Sequence, residues 1–110
     1  MTVDVLGTKY TIDTVSRDSD KLLEYNDGYC DDSIKRLCIA DLHSSEDDPS
    51  SKKDLGVVTR KTIRHEIVHA FLSESGLAEN SPWAQNEEII DWIAIQGPKL
   101  YKAWQEACAL

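Results

Sequence analysis

Apolar residues fall on every second position at the start of the chain. Val3 and Val5 lie before Gly7, and Tyr10, Ile12 and Thr14 after it. A period of two is the strand period, so the spacing predicts a strand, a turn and a second strand. The next stretch, "SRDSDKLLEYNDG", is polar apart from a small cluster at Leu22 and Leu23. It predicts a loop or short helix closed by Gly28. "GYCDDSIKRLCIADL" predicts another hairpin, with turn chemistry from "DDS" and strand character from Ile34, Leu37 and Ile39. "HSSEDDPSSKKD" contains no apolar side chain and predicts a solvated loop.

From about Lys53 the period changes. Val57, Val58, Ile63, Ile67, Val68, Phe71 and Leu72 recur three to four apart, and Gly76 follows. This predicts a long helix ended by glycine, with Ile63, Ile67 and Phe71 anchoring its apolar face. Asn80 or Ser81 is a candidate cap before Pro82. A second helix is expected from Trp83 to Ile95, broken at Gly97-Pro98. Leu100, Tyr101 and Trp104 then predict a short amphipathic C-terminal helix. The spacing of Trp83, Trp92, Tyr101 and Trp104 predicts that these rings pack the later helices on the first. Strands followed by helices imply an α+β fold in one domain over residues 1–110. A small antiparallel sheet of three or four strands would pack on the first helix.

Net charge narrows the partners. At −8, the chain is not expected to bind nucleic acid or an anionic membrane, since both select basic surfaces. No apolar run approaches the roughly 20 residues of a membrane span. "MTVDVLGTKY" lacks the basic start and apolar stretch of a secretory leader. Cys30, Cys38 and Cys108 are odd in number and form no CxxC pair, so they predict neither a disulfide framework nor a zinc knuckle. A cytoplasmic location is expected.

The long helix carries "HEIVH". His65 and His69 lie one turn apart and project from one face. Two imidazoles at that spacing can bind a single Zn²⁺, and Glu66 beside the first can take a proton from a water that the metal activates. A zinc site of this kind needs a third protein ligand. The best source is "NEEIID", Asn86 to Asp91. Glu87 and Asp91 share a helix face, so an antiparallel helix can bring Glu87 to the metal and Asp91 to a ring N–H of His65. Glu88, about 100° around the helix, is the alternative ligand. His43, Tyr29 and Tyr101 are candidates for an oxyanion donor. Cys108, near the end, is a candidate thiolate cap on the open metal position.

"HEIVH" followed by "NEEIID" resembles the gluzincin zinc metallopeptidases, whose pattern is HExxH, a spacer and a glutamate in an N-E-x-x-x-D segment. The chain's size, its hairpins and "HAFLSESGLAENSPWAQNEEIIDWIA" look like small phage- and prophage-encoded metallopeptidase-like proteins and single-domain minigluzincins. The resemblance implies peptide-bond hydrolysis with Zn²⁺ as cofactor, His65, His69 and Glu87 as ligands, Glu66 as base and Asp91 orienting a histidine. The looser match to phage repressor-cleaving peptidases favours Glu88 instead. A protein or peptide substrate, such as a phage or host regulator, is implied. So is a sheet edge lining the cleft, expected to be "RLCIADL". A catalytically silent zinc-binding interaction module is the alternative function.

Overall fold

Two hairpins build one sheet. In the computed structural model, which describes residues 1–45, 47–49 and 51–110, β1 (Thr2–Val5) pairs antiparallel with β2 (Thr8–Val15). Glu46 and Ser50, in the segment read as a solvated loop, lie outside the described residues. Leu6 and Gly7 join the strands at φ 52° and 88°, the left-handed pair that a two-residue hairpin turn requires. β3 (Gly28–Asp31) pairs antiparallel with β4 (Arg36–Ala40). The segment between the hairpins forms two single 3-10 turns, Arg17–Ser19 and Lys21–Leu23, of which only Leu23 is buried.

The sheet order is β1-β2-β4-β3, and β2 runs parallel to β4. The sheet is therefore mixed, not wholly antiparallel as expected. The alternating pattern fixes which side chains face the core but not which strand lies beside which. The topology also corrects the expected edge: "RLCIADL" supplies the interior strand β4, and β3 is the edge. Ile34 sits exposed in the turn rather than in a strand.

The long helix, α1 (Leu55–Glu74), packs across the sheet. Asp54 caps its start by accepting from the Val57 amide, and Gly76 follows its end at φ 81°. Val5, Tyr10, Ile12, Leu37, Ile39 and Ala70 form the core between sheet and helix, with Ile63 and Ile67 packed against it. Phe71, read as an anchor, is 40% exposed. Gly28 lets β3 come close to α1: a Cβ there would meet Thr62 Cγ2 at 3.0 Å and the Cys38 carbonyl at 3.1 Å.

α2 (Leu77–Asn80) and a 3-10 turn at Pro82–Gln85 lead to α3 (Glu87–Glu106). The expected second and C-terminal helices are this one element, running through Pro98. Proline removes the amide that would bond the carbonyl four residues back, which is Ala94. That carbonyl accepts instead from Arg64 Nε on α1 at 2.6 Å, so the helix continues. The expected packing of the aromatics is also corrected. Trp83, Trp92, Tyr101 and Trp104 are all about half exposed, while Ile90 and Ala94 are the buried residues of α3.

The end of α1 is tied to the sheet by one carboxylate. Glu74 Oε1 accepts from Lys35 Nζ and from the Tyr10 hydroxyl, both at 2.7 Å, and Oε2 accepts from Thr8 at 3.2 Å. Lys35 and then Tyr10 hold the Glu74 carboxyl below its ordinary value. The folded state thus binds this proton less readily than the unfolded chain. The stabilisation is present above the unfolded carboxyl value and lost as pH falls through the folded one. Thermal melts through the acid range are expected to show a weaker pH dependence in Glu74→Gln than in wild type. Identical acid limbs would deny Glu74 this role.

Candidate metal centre

Two helical turns meet here. α1 places His65 and His69 one turn apart, and α3 places Glu87 and Asp91 one turn apart. Asn86 caps α3 by accepting from the Ile89 amide, so Glu87 is the first residue of the helix. The helices run antiparallel: Glu87 meets His65 and His69, Asp91 meets His65 and Lys61, and Ala94 meets Arg64. Leu72, Ala84 and Ile90 are buried together behind this contact, with Val68 and Ala78 packed against them.

Glu87 bridges the histidines. Its Oε2 lies 2.8 Å from His65 Nε2 and its Oε1 3.0 Å from His69 Nε2. One ligand atom from each of the three residues lies within 4.8 Å of the others, a group that can hold a metal ion. Tetrahedral zinc with bonds near 2.0–2.1 Å separates its donor atoms by about 3.3 Å. Each imidazole nitrogen lies nearer than that to its own Glu87 oxygen, at hydrogen-bond distance, and the donor set of two imidazoles and a carboxylate is one that zinc accepts. Glu88, the alternative ligand, is not in the group.

His65 uses its second nitrogen too. Nδ1 lies 3.1 Å from Asp91 Oδ1, and Lys61 Nζ lies 3.3 Å from the same oxygen. Burial opposes ionisation of Asp91, but its bonds to His65 and Lys61 outweigh that and hold the carboxyl below the usual range. An ionised Asp91 favours the tautomer with the proton on Nδ1, which would leave the Nε2 lone pair for a metal ion. Asp91→Asn is expected to weaken zinc affinity about 10- to 100-fold, measured by competition with a chromogenic chelator. Unchanged affinity would remove the orienting role.

Glu66 is 6% exposed. Burial raises its carboxyl to about 7, with the charge of Glu87 adding to the rise and His65 opposing it. It lines a cleft of about 640 Å³ together with His65, His69, Glu87 and Asp91. The opposite wall is the edge strand, through Gly28, Tyr29 and Cys30, and the adjoining loop from Tyr25 to Asp27. Arg17 fixes that loop by donating to the Leu23 and Asn26 carbonyls and pairing with Asp27 at 2.8 Å. Burial pushes the Cys30 thiol up to about 12, with Glu66 and nearby aspartates adding to it, so Cys30 stays protonated.

Of the candidate oxyanion donors, Tyr29 lines the cleft with its hydroxyl already engaged, and the other two lie elsewhere. The Tyr29 hydroxyl donates to Asp20 at 2.5 Å. His43 borders a different depression, beside Lys52, Lys53 and Asp54. Tyr101 is about 20 Å further along α3 than Glu87 at helical rise. Cys108 is exposed past the end of α3, about 30 Å along from Glu87, and cannot cap the group from there. Sequence reasoning missed Tyr25, whose 88%-exposed side chain borders the cleft; a lone aromatic in a polar loop gives no periodic signal. It also missed Lys61, although its position one turn before His65 places it on the same face.

No helix is long and apolar enough to cross a membrane among the described residues. No family model, curated protein or solved structure matches the chain.

Proposed function

We propose that the chain is a zinc-dependent metallopeptidase of the gluzincin type its sequence resembles, acting in the cytoplasm on a protein or peptide such as a phage or host regulator. The observation that carries this reading is the Glu87 carboxylate on Nε2 of both histidines of an HExxH helix, with the intervening Glu66 buried in the same cleft. His65, His69 and Glu87 would hold the metal. Zinc bound there supplies Lewis acidity toward a carbonyl and lowers the pKa of water.

The chain's own residues supply the rest. Asp91 keeps the His65 ring oriented. Glu66 takes a proton from the attacking water and returns it to the leaving amine. The edge strand β3 offers main-chain groups along the cleft, where an extended substrate adds as a further strand. Tyr25 brings a phenol to the cleft rim. The three free cysteines suit a reducing compartment.

One observation favours the second reading, a catalytically silent zinc-binding interaction module. The described cleft walls all come from a single lobe. The two separate in one experiment: incubate zinc-loaded and chelator-treated protein with a peptide mixture and read new termini by mass spectrometry. Zinc-dependent cleavage supports the peptidase. Stoichiometric zinc without any cleavage would overturn it in favour of the module.

A further inference from the structure

Edge strand β3 keeps part of its main chain unpaired. The Ala40 amide donates to the Asp27 carbonyl at 2.8 Å. In the antiparallel register the hydrogen-bonded pairs are therefore Asp27–Ala40, Tyr29–Cys38 and Asp31–Arg36. Gly28 and Cys30, which alternate with these, turn their N–H and C=O groups away from β4 to the open edge. Both residues line the cleft, and among the described residues neither main chain has a further partner. The loop that leads into this edge is held from outside the cleft. Arg17 borders a different depression, with Glu24, Leu42 and Leu55. Its guanidinium donates to the Leu23 carbonyl at 2.5 Å, to the Asn26 carbonyl at 3.0 Å and to Asp27 Oδ1 at 2.8 Å. Asp27 is thus fixed twice, by its side chain to Arg17 and by its carbonyl to Ala40, immediately before Gly28.

Resting on the metallopeptidase reading, we propose that Arg17 is a positioning residue for the substrate. It sets the loop from Leu23 to Asp27 so that Gly28 and Cys30 meet an extended peptide main chain beside the metal group. Three acceptors spread from Leu23 to Asp27 need a planar fork of donors. Arginine supplies that fork, and the single ammonium of lysine does not. Without it the loop has to be ordered at the moment the peptide binds, which weakens binding. The charges of the cleft also favour recognition through the main chain. Asp27 is offset by Arg17 and Asp91 by Lys61. Apart from Glu66 and Glu87, the fixed charges lining the cleft therefore cancel, and no charged side chain is left to select a charged substrate.

Two zinc-binding probes test this by titration calorimetry on the full zinc-loaded chain. Acetohydroxamate reaches the metal alone, whereas tetra-alanine hydroxamate carries a peptide main chain as well. Wild type is expected to bind the tetra-alanine probe about tenfold more tightly than acetohydroxamate, a gain within reach of a few main-chain hydrogen bonds. Arg17→Lys keeps the charge and is expected to lose most of that gain, with zinc stoichiometry and acetohydroxamate affinity unchanged. An equal gain in wild type and Arg17→Lys, or no gain in wild type, would overturn the proposal and leave the metal reading standing. Acetohydroxamate that does not bind would strike the metal reading itself, and this proposal with it. If Arg17→Lys does not fold by circular dichroism, Asp27→Ala decides in its place. It removes one of the three bonds and is expected to show a smaller gain than wild type; a gain as large as wild type's would overturn the proposal.

Discussion

Glu66→Gln is expected to keep zinc and lose peptide hydrolysis by about a hundred- to ten-thousandfold, the usual contribution of a positioned acid–base group. The substitution preserves shape, which matters at a site only 6% exposed. It also leaves the Glu87 and Asp91 contacts to the histidines untouched. What it removes is the ability to accept a proton. Turnover, zinc stoichiometry and melting temperature should be read on the same preparation. Retained turnover would exclude Glu66 as the base. Loss of zinc together with turnover would show that Glu66 supports the site structurally.

Zinc is expected to raise the melting temperature of the wild-type chain and leave His69→Ala nearly unmoved. A ligand at a thousandfold its dissociation constant stabilises by about 4 kcal/mol, which is about 15–30 °C for a domain near 100 residues. The effect is expected to be large here because the three candidate ligands come from two helices. The buried cluster joining α1 to α3 is small, with Leu72, Ala84 and Ile90 as its buried members. A metal would add a further clamp between helices already joined by this cluster, the Arg64–Ala94 bond and the Asp91 contacts. Equal shifts in wild type and His69→Ala, followed by scanning calorimetry with and without chelator, would place zinc elsewhere on the chain.

The legible parts of this chain were the local ones. Gly76 ends α1 as read because a left-handed stop acts within one turn. His65 and His69 share a face because helical geometry alone requires it. Which of Glu87 and Glu88 faces the histidines depends on how α3 docks, and the shared face of Glu87 and Asp91 was the useful clue. The parallel β2–β4 pairing joins residues about 25 apart and leaves no local trace. Trp92, Tyr101 and Trp104 showed an apolar period, but a period does not say whether the domain itself covers that face. Gly97-Pro98 read as a stop because the Arg64 bond that sustains the helix comes from another element.

That last bond makes two distant positions mutually dependent. While Pro98 is present, losing Arg64 leaves the Ala94 carbonyl without its donor, and Ala94 is 1% exposed. An unpaired buried polar group costs about 1–3 kcal/mol. With alanine at 98, the helix supplies its own amide to that carbonyl and position 64 is released. Arg64→Met should therefore be damaging alone and nearly neutral beside Pro98→Ala, in a double-mutant cycle of denaturant midpoints. A drifting sequence can cross between these states in one order only: the proline must go before the arginine.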